Sequence, residues 1–172
     1  RYVNAVSANG WDLIGSPVDG LDINTFVSAN SGVLATNGVQ YAVGVYDNSN
    51  NDWSNYTSDG SGAGNVNAAG NFDIGKGYQM GTVSGGTQIL QFTGTIATVD
   101  QLQAVINNQG NSSGRRWNLV ANPFPSYLML NDDAHASNNL LTVNNSIIDG
   151  SYLAAYGYDA DGSGFTAYGQ DF

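Results

Sequence analysis

Apolar and polar residues alternate with a period of two along much of this chain, the spacing of half-buried strands rather than of amphipathic helices. Trp11-Asp12-Leu13 and Trp117-Asn118-Leu119 put Trp and Leu on one face, with Ile14 and Val120 on the other. Ser16-Pro17 and Asn122-Pro123 end those runs, because proline lacks an N–H and biases its predecessor away from helix. Residues 41–46 and 53–57 are aromatic and β-branched runs around Asp47-Asn48-Ser49-Asn50-Asn51-Asp52, which predicts a hairpin with a long loop. Residues 72–80 and 88–96 continue the β pattern between glycine-rich breaks. For residues 98–107, Thr98 and Gln101 have capping-box spacing, yet Leu102, Ala104 and Ile106 alternate with Gln103 and Val105; strand is the preferred reading. Short helical turns are expected near 24–29 and 131–137.

The same pattern occurs twice. The run from Gly10-Trp11 to Pro17 matches that from Arg116-Trp117 to Pro123 at an offset of 106 residues. Tyr46-Asp47, Trp53 and Tyr56 match Tyr158-Asp159, Phe165 and Tyr168 at an offset of 112. Two blocks in the same order indicate two related units, residues 1–97 and 98–172, expected to share one compact domain. After Tyr56 the first unit runs on through two further strand segments, whereas four residues follow Tyr168. Three completions of the second unit are open: the segment 2–7, a strand donated by another chain, or a longer parent protein. The last two together are preferred.

Composition narrows the class. The 172 residues carry 14 acidic and 4 basic side chains, a net charge of −10, and every acid is Asp. Only 10% are charged while 41% are hydrophobic, so the chain is a packed protein and not a disordered acidic tail. The lack of Glu and the single Lys76 argue against helix-rich folds. Four basic groups cannot neutralise a nucleic-acid backbone, and an acidic surface is repelled by anionic membranes. No apolar run reaches the length of a membrane-spanning helix. Without cysteine there is no disulfide frame, thiolate nucleophile or Cys-ligated zinc, and Arg1-Tyr2-Val3-Asn4 reads as mature sequence rather than a signal peptide.

The second copy, Trp117-Asn118-Leu119-Val120-Ala121-Asn122-Pro123-Phe124-Pro125-Ser126, closely resembles the W-N-L-[IV]-[GA]-N-P-[YF]-P-S signature of β-rich modules in secreted Bacteroidota proteins. Such modules often precede a type IX secretion sorting domain. Residues 41–56 and Ile74-Gly75-Lys76-Gly77-Tyr78 look like that family's hairpin and its glycine-rich lead into an aromatic strand. Phe92-Thr93-Gly94-Thr95 resembles the strand linking one unit to the next. The first copy departs from the signature, with Ser16 for the Asn and Val18 for the aromatic. The resemblance implies an extracellular or cell-surface accessory protein without implying one ligand.

Candidate chemistry is sparse. Asp159, Asp161 and Ser163 have the one-three-five donor spacing of a calcium loop with Gly164 at six. Position twelve is Gln170 where an EF-hand needs Glu, so EF-hand function is rejected. A plain hairpin tip is preferred and bound calcium is the alternative. His135 lacks a designated nucleophile or metal partner and reads as part of a solvated loop. Gly75-Lys76-Gly77 lacks Walker spacing and reads as a turn, and Arg115-Arg116 makes a weak basic patch. Trp53, Tyr56, Phe165 and Tyr168 lie beside Asn- and Asp-rich loops. Aromatic faces stack on sugar C–H groups while amides and carboxylates take hydroxyls; cross-strand packing is the competing reading. Trp11 and Trp117 are expected to be buried.

These readings combine into an all-β chain of sandwich-like antiparallel sheets built from two related units, with at most short helical turns. The expected function is a non-catalytic extracellular module for adhesion or glycan binding, its partner a polysaccharide or surface glycan. The alternative is a structural spacer or assembly subunit that pairs with other protein chains through an open sheet edge. An enzyme, a nucleic-acid partner and membrane insertion are not expected.

Overall fold

The computed structural model of the chain describes residues 2–3, 10–83, 88–99, 117–159 and 164–170. All its strand pairings but one isolated bridge are antiparallel, and the helices are short. The fold is all-β, as the alternation predicts. Two compact units divide at Pro125 and Ser126.

The first unit holds a five-stranded sheet. Strand β2 (Asp12–Gly15) pairs with β6 (Gly77–Met80), β6 with β4 (Gln40–Asp47), and β4 with both β3 (Thr36–Asn37) and β5 (Asp52–Thr57). A separate ribbon joins β1 (Tyr2–Val3) to β7 (Ile89–Leu90). Of the segment 2–7 offered as a filler of the second unit, residues 2–3 are thus engaged in the first, and residues 4–7 lie outside the described residues.

Helix α1 (Ile23–Ala29) forms where a helical turn is predicted. Asp22 caps it by accepting from the Thr25 N–H at 2.8 Å, satisfying one of the orphan donors of a helix start. Ile23, Phe26 and Val27 are its buried face. At its far end the Asn30 side chain bonds the chain after β7 on both groups: Nδ2 donates to the Gln91 carbonyl at 3.0 Å and Oδ1 accepts from the Gln91 N–H at 2.8 Å. A buried amide thereby substitutes for a strand neighbour, and its polar atoms stay satisfied.

The core lies between α1 and β6. Phe26 meets Phe72 edge-on at 5.2 Å and Phe92 at 4.8 Å, and Phe72 meets Tyr78 edge-on at 4.9 Å. Leu34, Val43, Met80, Leu90 and Val66 close around them. All four residues of β6 are buried. Before β6 the chain turns at Gly75, whose φ of 82° lies in the left-handed region that favours glycine, so residues 72–76 are not strand.

Both copies of the Trp motif are extended, and both lie beside the segment 75–80. In the first, Ile14 pairs with Tyr78. In the second, Val120 bridges Lys76, with Gly77 N–H donating to the Leu119 carbonyl at 2.9 Å and Ala121 N–H to the Gly75 carbonyl at 2.8 Å. Gly15 and Ala121, the same position of the repeated motif, abut: a Cβ at Gly15 would strike the Ala121 Cβ and lie 2.9 Å from the Lys76 carbonyl oxygen. The sequence repeat divides at 97/98. The compact units divide later because residues 119–121 are hydrogen-bonded into the first.

The second unit is the hairpin of β8 (Ala155–Asp159) and β9 (Gly164–Tyr168) with the segment before it. Residues 132–134 form a turn rather than the expected helical one, and the short helix α2 (Leu140–Val143) follows, capped by Asn139. Asn131 Nδ2 donates to the Gly169 carbonyl at 3.1 Å, and Gln170 bridges the Asp132 N–H (3.0 Å) and the Thr142 hydroxyl (2.8 Å). Residues 100–107 of the predicted 98–107 strand lie outside the described residues.

Candidate functional site: aromatic pairs on two hairpins

In the β4–β5 hairpin four residues, 48–51, separate Asp47 from Asp52. Asp47 closes this loop on itself. Its Oδ1 accepts from the Ser49 N–H at 2.9 Å and the Ser49 hydroxyl at 2.6 Å, and its Oδ2 accepts from Asn50 Nδ2 at 2.7 Å. These bonds, those from the Ser49 and Asn50 side chains foremost, hold its carboxyl below the ordinary aspartate range. Asn51 takes a left-handed φ of 56°, a conformation that asparagine tolerates better than most residues. Its Oδ1 accepts from the Tyr46 hydroxyl at 2.7 Å, which fixes the direction of the Tyr46 ring.

That register sets Tyr46 directly opposite Trp53, the cross-strand geometry in which aromatic side chains touch. Their ring centroids are 5.3 Å apart with planes inclined at 58°. Trp53 is 37% exposed. Partial burial first, and the Asp47 charge second, raise the Tyr46 phenol above its ordinary range. The pair lies at the end of a sheet, at the root of the 48–51 loop, where Asn51 bonds the Tyr46 hydroxyl.

The second hairpin repeats this arrangement. Tyr158 stands opposite Phe165, with centroids 5.5 Å apart and planes inclined at 58°. Tyr158 is 40% and Phe165 62% exposed.

Of the four aromatics singled out in the sequence, the structure therefore separates two from two. Trp53 and Tyr56 are three residues apart on one strand, so they point to opposite faces. Tyr56 packs against the core and its phenol is raised, chiefly by burial and then by the Asp73 charge. Phe165 and Tyr168 are split in the same way. Tyr168 lies over Gly157, where an added Cβ would sit 3.0 Å from its ring. The partners on the exposed face are Tyr46 and Tyr158, which the sequence reading left out. The signal was present: a four-residue loop closed by Asp47 and Asp52 makes Tyr46 the neighbour of Trp53 across the strands. Trp117 departs from expectation too, being 43% exposed, while its carbonyl accepts from the buried Asn48 Nδ2 at 2.6 Å.

The remaining candidates offer little chemistry. Asp161, Ser163 and the side chain of Asp159 lie outside the described residues, as do Arg115 and Arg116. Among the described residues no three metal-ligating acids or histidines gather. His135 is exposed, and its Nδ1 accepts from the backbone N–H of Asn138 at 3.0 Å and of Ser137 at 3.3 Å. Lys76 pairs with Asp73 at 3.3 Å on the surface. A cleft of about 450 Å³ in the first unit is lined chiefly by Leu13, Ile14, Pro17, Phe92 and Val120, with no acid or base on its wall. No described helix is long and apolar enough to cross a membrane. No family model, no curated protein and no solved structure matches this chain.

Proposed function

We propose that this chain is a non-catalytic carbohydrate-binding or adhesion module of a secreted or surface bacterial protein, and that its sugar platform is the Tyr46–Trp53 pair. The observation that carries this reading is the exposed tryptophan held against a hydroxyl-anchored tyrosine, beside a loop of amide and carboxylate side chains. Ring faces take the C–H side of a sugar and the loop side chains take its hydroxyls. The non-catalytic part rests on His135, whose Nδ1 lone pair is committed to backbone donors, and on the apolar wall of the cleft. Export, by a type IX route, rests on the resemblance of residues 117–126 to the secreted Bacteroidota modules and on the scarcity of charged residues.

A glycan array followed by calorimetry tests this. At the β4–β5 hairpin Trp53→Ala is expected to weaken binding at least ~10-fold, the worth of one stacked aromatic anchor, while Tyr56→Phe leaves it unchanged. Undiminished binding at the β4–β5 hairpin in Trp53→Ala, or cleavage of any bound polysaccharide, contradicts the reading.

The second reading, a spacer or assembly subunit, is favoured by the second unit, where Tyr127, Leu128, Met129, Val143 and Ile147 are all exposed. Exposed apolar residues that form a contiguous patch are the usual mark of contact with another protein. Light scattering across a concentration series distinguishes it: a defined oligomer supports assembly, and a monomer at all concentrations removes self-assembly.

A further inference from the structure

The two hairpins correspond residue for residue. Gly44 faces Asn55, Val45 faces Ser54, Tyr46 faces Trp53 and Asp47 faces Asp52. At the offset of 112 residues, Tyr156 faces Ala167, Gly157 faces Thr166, Tyr158 faces Phe165 and Asp159 faces Gly164. A slip of one residue would send every side chain to the other face, so a shared register over four pairs is a specific agreement. The aromatic pairs agree in inclination and within 0.2 Å in centroid separation, 5.3 against 5.5 Å.

We infer that the sugar site is duplicated: the Tyr158–Phe165 pair is a second, independent platform, and one chain binds two equivalents of a short neutral oligosaccharide. This inference rests on the reading of Tyr46–Trp53 as a sugar platform and adds to it the number of sites and the class of ligand. Neutrality follows from charge. The chain carries a net charge of −10, so a uronic acid or sulfated sugar meets like charge at either site. The sites differ in strength. Phenylalanine has a smaller face than tryptophan and no indole N–H, so the second site is weaker by roughly five- to tenfold.

The test uses the full chain, isotopically labelled, titrated with neutral hexasaccharides of β-1,4-linked glucose, β-1,3-linked glucose and β-1,4-linked mannose. Amide shifts are followed on both hairpins, and stoichiometry is taken from calorimetry. The expected result is a stoichiometry near two with shifts in Tyr46–Trp53 and in Tyr158–Phe165. Phe165→Leu should reduce the stoichiometry to one and leave the first hairpin's titration intact. A stoichiometry of one, with shifts on one hairpin alone, overturns the duplication while leaving a single platform standing. Shifts on neither hairpin with any of the three probes overturn both. Because the mapping is made on the unsubstituted chain, a variant that fails to fold does not obscure the result.

Discussion

At the scale of single residues, Tyr78 joins the core to the turn that precedes β6. Its ring closes the edge-on stack with Phe72, and its hydroxyl oxygen accepts from the Asp73 N–H at 2.9 Å. Burial is the main reason its phenol is raised far above the ordinary range, and burial raises Tyr56 as well. The sign of the resulting pH dependence follows from where each state ionises. Unfolded tyrosine loses its proton near pH 10, whereas the folded chain holds Tyr56 and Tyr78 neutral beyond that. Their contribution is fully present below about pH 10 and drains away as the pH rises toward the folded values. Urea midpoints should be level from about pH 7 to 9 and fall above about 10. The part of the phenolate absorbance that is lost in Tyr56→Phe and Tyr78→Phe should appear together with unfolding rather than before it. Tyr78→Phe removes the acceptor for Asp73 and should cost ~0.5–1.5 kcal/mol at neutral pH while making the alkaline fall shallower. An alkaline limb identical in the variant would mean that Tyr78 does not drive it. On the acid side, Asp47 and Asp59 are held low by hydrogen bonds to nearby loop residues, so the order they lend is kept above the ordinary aspartate range and lost as pH falls below it.

At the scale of elements, the two copies of the Trp motif converge on one strand segment and meet at their own small residue, Gly15 against Ala121. Close approach of two backbones requires that at least one of these positions lack a Cβ. Gly15→Ala should therefore destabilise by ~1–3 kcal/mol, as overpacking does. Ala121→Gly in the same background should recover part of that loss. Recovery is incomplete because the Lys76 carbonyl still crowds the new methyl. A double-mutant cycle on urea midpoints measures the coupling, and strictly additive effects would show that the two positions do not touch. Elements are also where the legibility of the sequence divides. Hairpin β4–β5 was readable, since Asp47 to Asp52 carries the turn chemistry, and the helical turn expected near 24–29 marked α1, while its Asp22 cap was found in the structure. The hairpin β8–β9 was readable only through its match to the first. The strand runs at 72–80 and 88–96 shrink to Gly77–Met80 and Ile89–Leu90, because Gly75 and the pairing of Lys76 with Val120 are tertiary features that alternation does not encode. The site was misread for another reason: alternation puts Trp53 and Tyr56 on opposite faces, yet their nearness in sequence suggested one cluster.

At the scale of the whole molecule, the two units are held by different means, and this has a measurable consequence. The first has an aromatic and aliphatic interior around Phe26, Phe72, Tyr78 and Met80. In the second, Leu141 is the one large apolar side chain buried among the described residues. Its order comes instead from amide side chains: Asn139 Nδ2 reaches the Asp132 carboxylate at 3.0 Å and the His135 carbonyl at 2.8 Å, and Gln170 ties β9's end to Asp132 and Thr142. Hydrogen bonds contribute little net free energy each, about 0.5–1.5 kcal/mol, whereas a buried phenylalanine is worth ~3–5 kcal/mol against alanine. Local opening should therefore be far easier in the second unit. Native-state hydrogen exchange should show amides of β4 and β6 protected at least ~100-fold more than those of β8 and β9, a difference of about 2.7 kcal/mol. Exchange in β8–β9 should rise further in Asn139→Ala, which removes the α2 cap and the bonds to Asp132 and His135 together. Equal protection of the two hairpins in the isolated chain would mean that the second unit draws stability from something other than the amide contacts described for it. At the proposed platforms, a neutral oligosaccharide should slow exchange in both hairpins, by the larger factor in β4–β5, because the stabilisation grows as RT ln(1 + [L]/Kd) and the second site is the weaker.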